Sequence, residues 1–129
     1  MMDRSGRCRV LFVEDEAIVA MLIEDMLSDL GVDIVGPAST VPAALELARS
    51  AEVEAAVLDI KVGGALTYPV ADVLQERGVP VVFATGYGAS VLPERFRGVP
   101  TLQKPFNRTD FSQVLAAVLA TTPCEIQGV

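Results

Sequence analysis

RVLFVEDEAIVAMLIEDMLSDLG, residues 9–31, contains the change of period that decides the fold. It opens with a continuous apolar run, the mark of a strand buried on both faces. The run stops at three consecutive acids, Glu14, Asp15 and Glu16. Over residues 16–30 apolar side chains return at helical spacing, at Val19, Leu22, Ile23, Met26, Leu27 and Leu30, and Gly31 reads as a C-terminal stop. Three adjacent like charges repel one another and need a reason. Acids favour a helix N-terminus, which is one reading. A share in a binding site is the other.

The same alternation continues down the chain. VDIVG (32–36) is a second strand, and STVPAALELARS (39–50) a helix with Ser39 or Thr40 as cap and Pro42 tolerated in its first turn. EAAVLDI (54–60) is apolar up to Asp59. YPVADVLQERG (68–78) is helical and ends at Gly78. VPVVFAT (79–85) is rich in β-branched residues and is the most strand-like stretch. TLQKPF (101–106) is a shorter strand. A last helix is expected over residues 109–120, with Phe111, Val114, Leu115, Val118 and Leu119 on one stripe. Residues 1–7 read as a flexible N-terminus, 8–120 as one domain and 121–129 as a frayed tail. Strand and helix alternate about five times, which specifies an α/β fold with a parallel sheet covered by helices on both faces.

Composition narrows the chemistry. The 129 residues suffice for one core. The net charge is −7, so the chain repels nucleic acid and anionic membrane, and neither is expected as a partner. There is no His, which removes His-based metal sites and catalytic triads. Cys8 and Cys124 stand near opposite ends in no metal-ligand spacing and read as ordinary thiols in a reducing compartment. No apolar run reaches the ~18 residues of a membrane span, and the first apolar run is too short for a signal peptide. The expected location is the cytoplasm.

In open parallel sheets, ligands bind beyond the carboxyl ends of the strands, where the strand order reverses. Those ends carry Glu14 and Asp15, then Asp59, then Thr85 with Gly86, then Lys104 with Pro105. Three carboxylates on one rim would raise each other's pKa, and a hard cation with oxygen ligands removes the conflict. Mg2+ fits, because it takes one or two carboxylates and keeps places for phosphate oxygens. Lys104 and Thr85 would hold an anion opposite. That set suits phosphoryl transfer, with a carboxylate as nucleophile.

VEDE at 13–16, VLDI ending β-run three at Asp59, FATG with Thr85, and QKPF with Lys104 together resemble the receiver domains of two-component response regulators, over about residues 8–120. The resemblance implies a flavodoxin-like, doubly wound five-stranded sheet of order 2-1-3-4-5 with about five helices. It implies that Asp59 is the phosphoacceptor. Asp15 would ligate Mg2+ directly, Glu14 through water, and Lys61 through its backbone carbonyl. Thr85 and Lys104 would bind the phosphoryl group, and the peptide bond before Pro105 is a cis candidate. FATGYG, with DIKVGG after Asp59, resembles the FATGUY receiver subgroup of alphaproteobacteria. The function so implied is a stand-alone receiver, monomer or weak dimer, phosphorylated by a histidine kinase or histidine phosphotransfer protein and signalling through protein contacts. It would be no enzyme beyond assisting its own phosphorylation and dephosphorylation.

Two departures stand out. Thr101 occupies the place of the usual aromatic switch residue, and Tyr87 is a substitute candidate. The 18 residues between Thr85 and Lys104 contain Pro93, Pro100 and three glycines, so the fourth helix is expected to be short, irregular or mobile. Plainer readings exist: Lys104 as a solvated lysine, Thr85 as part of a turn, and Val62-Gly63-Gly64 as turn geometry. Three other functions fit less well. An aspartyl-phosphate phosphatase wants a second acid where Lys61 stands. A flavin carrier wants a hydroxyl-rich loop where VEDEA stands. A pseudo-receiver would not keep all five site positions.

Overall fold

Strand β1 (Arg9–Val13) is apolar after its first residue because both of its faces are covered. Val10 and Phe12 enter one core, and Leu11 and Val13 the other. The computed structural model describes residues 6–86, 92–120, 122 and 124. The further elements are α1 (Ala17–Asp29), β2 (Asp33–Ala38), α2 (Val41–Ser50), β3 (Ala55–Asp59), β4 (Lys61–Val62), β5 (Ala65–Leu66), α3 (Tyr68–Glu76), β6 (Val81–Thr85), a 3-10 turn (Glu94–Phe96), β7 (Thr101–Gln103) and α4 (Arg108–Leu119).

The main sheet is parallel with order β2-β1-β3-β6-β7, the expected 2-1-3-4-5 once β4 and β5 are set aside. One core holds Ile23 and Leu27 of α1 with Phe111, Leu115 and Leu119 of α4 against Phe12, Val57 and Val82. The other holds Ala44 and Ala48 of α2 with Val70, Ala71 and Leu74 of α3 against Leu11, Leu58 and Phe83. Thr40 caps α2, its hydroxyl accepting from the Ala43 amide at 3.2 Å, with Pro42 in the first turn. Asn107 does the same for α4 at 2.7 Å.

The structure departs from the sequence reading in four places. Among the described residues there are four α-helices rather than about five, and the described part of the β6 to β7 crossover shows a 3-10 turn, the short form expected of the fourth helix. Gly98, at φ +88°, and Pro100 end that turn on its carboxyl side. Phe96 anchors the turn, stacked among Tyr68 and Phe83, while Arg95 forks onto the Asp72 carboxylate at 3.0 Å. Tyr87, the switch candidate, lies outside the described residues.

Second, β4 and β5 form an antiparallel hairpin, unforeseen because two-residue strands show no period. Its turn residues Gly63 and Gly64 have φ of 59° and 80°, the pair of positive values that a type I′ turn requires. Third, Leu22 is not part of the buried stripe of α1. It is 56% exposed, beside Ile18 at 75% and Met21 at 67%.

Fourth, Cys8 and Cys124 are not free thiols but a disulfide. They are 116 residues apart in sequence, yet the two Cα atoms are 4.9 Å apart. Spacing along the chain carries no signal for such a pairing. No helix among the described residues is long and apolar enough to cross a membrane.

Gly36 sits in β2 at φ +112°, where a Cβ would lie 2.6 Å from the Phe12 carbonyl oxygen. Both the left-handed backbone and the close approach reserve the position for glycine. Gly36→Ala is expected to destabilise the fold by about 2 kcal/mol or more, read as a lower urea midpoint with an unchanged m-value.

Candidate functional site

Strand register assembles the site. Val13 of β1 lies level with Leu58 of β3, Asp59 with Ala84 of β6, and Thr85 with Gln103 of β7. The next residue on each strand therefore falls on a common rim: Glu14, Asp59, Thr85 and Lys104. The Glu14 amide bonds to the Ala38 carbonyl at 3.0 Å and the Lys104 amide to the Thr85 carbonyl at 2.7 Å, so the rim's backbone is tied to its neighbours.

Glu14, Asp15 and Asp59 each bring a carboxylate oxygen within 4.8 Å of the others. The Lys104 ammonium donates to Glu14 Oε1 at 3.1 Å and to Asp59 Oδ2 at 3.3 Å. Glu14 is buried and Asp15 exposed, with Asp59 between them. Burial pushes the Glu14 carboxyl above the usual carboxylate range; the bond from Lys104 opposes this without cancelling it, and the Asp59 charge adds to the rise. For Lys104, burial works against the charged form, but the bond to Glu14 and the attraction of Asp59 outweigh it, so the ammonium holds its proton more tightly than a free lysine.

Thr85 closes β6 and is buried at the rim. Lys61 opens β4 two residues past Asp59, with its side chain in solvent. The Lys104–Pro105 peptide bond is cis, as is Gly36–Pro37. Thr101 stands apart from the cluster: it starts β7 level with Phe83, and its hydroxyl donates to the Val99 carbonyl at 3.1 Å.

Two contributors escaped sequence reading. The Gly63 amide, at the tip of the hairpin, donates to Asp15 Oδ2 at 2.8 Å. The Thr67 hydroxyl donates to the carbonyls of Asp59 at 2.6 Å and Ile60 at 3.1 Å. The doubled glycine signalled a turn but not its target, and nothing in the sequence around Thr67 pointed to the Asp59 carbonyl. Beside the acids lies an apolar cavity of about 330 Å³, lined by Val19, Leu22, Ile23, Met26, Pro105 and Phe106, with Lys104 at the boundary between the two.

The donor set is three carboxylates without imidazole or thiolate, which suits a hard divalent cation. Oxygen ligands, an ammonium and a hydroxyl around one carboxylate suit the binding and transfer of a phosphoryl group.

No family model matches the chain. It is 41% identical to SdrG from Sphingomonas melonis Fr1 and superposes on that solution structure with a TM-score of 0.78, over 90% of this chain and 99% of SdrG. It superposes on the REC domain of the Erythrobacter litoralis response regulator PhyR with a TM-score of 0.80 at 28% identity, over 90% of this chain and 92% of that one. Among curated proteins it is 31% identical to the phyllosphere-induced regulator PhyR of Methylorubrum extorquens, over 92% of this chain and 49% of PhyR. It is 33% identical to the transcriptional regulatory protein PdtaR of Mycobacterium tuberculosis, over 79% of this chain and 52% of PdtaR. The chain spans about half the length of these curated relatives.

Because the folded pKa of Glu14 is raised, the ionised form destabilises the fold at pH values above the carboxylate range, and the penalty fades as pH falls and the folded state takes up its proton. Glu14→Gln is therefore expected to stabilise the metal-free protein at about pH 7, with the gain shrinking toward about pH 4. Urea denaturation of both proteins in a chelator at the two pH values reads this out.

Proposed function

We propose that this chain, which belongs to the receiver domains of response regulators, takes a phosphoryl group on Asp59 in a Mg2+-dependent step from a histidine kinase or histidine phosphotransfer protein, and signals through protein contacts. One observation carries the reading. The Asp59 carboxylate stands within 4.8 Å of two further acids and 3.3 Å from the Lys104 ammonium, at the carboxyl rim of a parallel sheet. The FATG sequence that ends β6 supports the narrower assignment to the FATGUY subgroup.

Asp15 and Asp59, with the Lys61 carbonyl, would hold Mg2+ directly and Glu14 would hold it through water. Bound there, Mg2+ supplies the positive charge that lets the acids and a phosphate dianion share the pocket. An Asp59 carboxylate oxygen attacks the phosphorus of a phosphohistidine, forming the O–P bond as the N–P bond breaks and its electron pair returns to the imidazole. Lys104 balances charge on the transferred group, and the Thr85 hydroxyl donates to one of its oxygens. The new dianion then draws Lys104 and Thr85 toward Asp59 and favours one of two arrangements of the rim loops, a population shift.

The donor must bring its histidine to Asp59. Helix α1 follows directly on Glu14 and Asp15, and its Ile18, Met21 and Leu22 present an uncovered apolar face that continues into the cavity at Pro105 and Phe106. A helix of the donor, laying an apolar stripe on this face, would point at the acids. The area is continuous with the site through Lys104, which borders both.

Incubation with Mg2+ and acetyl phosphate is expected to add one phosphoryl group by intact mass, absent in Asp59→Asn and abolished by chelation. Labelling that persists in Asp59→Asn would refute the assignment. Met21→Glu is expected to slow transfer from a phosphorylated histidine phosphotransfer domain by about tenfold while leaving acetyl phosphate labelling unchanged. Equal slowing with both donors would remove α1 as the docking face.

A further inference from the structure

We infer that Thr67 is a positioning residue for the phosphoacceptor, its hydroxyl fixing the backbone that carries the Asp59 carboxylate and the Lys61 carbonyl. The inference rests on the phosphoacceptor reading of Asp59.

Thr67 occupies the N-cap of α3, where a threonine hydroxyl ordinarily accepts from an amide of the first turn. Here it makes no such bond. The reason lies in the next residues: Pro69 has no amide to offer, and the Val70 amide already bonds to the Thr67 carbonyl at 2.9 Å. The hydroxyl is released from capping and turns back toward the sheet, where it donates to the Asp59 carbonyl at 2.6 Å and shares its hydrogen with the Ile60 carbonyl at 3.1 Å.

The Thr67 side chain is fully buried, and its amide also donates to the Ile60 carbonyl at 2.8 Å. One residue thus restrains two successive peptide planes, the one leaving Asp59 and the one entering Lys61. From the other side the Ile60 amide bonds to the Ala84 carbonyl at 3.3 Å. Between Ile60 and Thr67 the chain closes as the β4–β5 hairpin, whose Gly63 amide holds Asp15. Thr67 therefore pins the base of a loop that touches three of the proposed ligand positions: Asp59, Lys61 and Asp15.

Partners that orient metal ligands change metal affinity by about 10–100-fold when removed. The near-isosteric Thr67→Val removes only the donor. In Mg2+ titrations followed by amide chemical shifts, it is expected to weaken binding about tenfold and to slow acetyl phosphate labelling by a similar factor, with Thr67→Ser restoring both. A threonine that served packing alone would lower the thermal midpoint of Thr67→Val and leave Mg2+ affinity of the folded protein unchanged, which overturns the inference. If Thr67→Val does not fold, Thr67→Cys, with its weak donor, replaces it and is read in the same way. A wild type that neither binds Mg2+ nor accepts the phosphoryl group overturns the Asp59 reading and the inference with it. Wild-type behaviour in the donorless variant overturns the inference alone.

Discussion

The ammonium of Lys104 is what allows Glu14 and Asp59 to occupy one rim. Two carboxylates that close, one of them buried, repel each other in a region that water screens poorly. Lys104 bonds to both, from the end of a strand two places from that of Asp59 and three from that of Glu14. Its position depends on β7 pairing with β6 in register, and on its amide reaching the Thr85 carbonyl. The sheet order is therefore a condition for the site's electrostatics as well as for burial of the core. The compensation is incomplete, since Glu14 still resists ionisation. That residual strain is what a divalent cation would relieve.

The two faces of the sheet are held differently. On the α1 and α4 side, Arg108 bridges Asp25 and Asp29, joining the two helices across the surface. On the α2 and α3 side, the 3-10 turn is secured by Phe96 in an aromatic group with Tyr68 and Phe83, and by the Arg95 fork on Asp72. Exposed ion pairs of this kind contribute little energy. The buried ring of Phe96 is the stronger anchor for the 3-10 turn.

Much of the fold was legible because apolar runs and helical stripes have different periods, and each strand run ended in a residue with chemistry. Glu14, Asp15, Asp59, Thr85 and Lys104 were found by listing those ends, and the register places them together. What stayed hidden has physical reasons. The β4–β5 hairpin is too short to show a period. Thr67 carried no signal in the sequence, because its partners are carbonyls seven and eight residues back. Leu22 fits the helical stripe of α1, but spacing does not say which apolar residues lack a cover. The Cys8–Cys124 bond joins positions whose nearness is a property of the whole fold.

That last bond makes residues 8–124 a covalent ring. Strand order and register can then survive opening the chain at a turn, since the closing link lies at the amino end of β1. A circular permutant that joins the two cysteine positions by peptide and opens at the exposed Gly63–Gly64 turn would keep every pair of the five-stranded sheet.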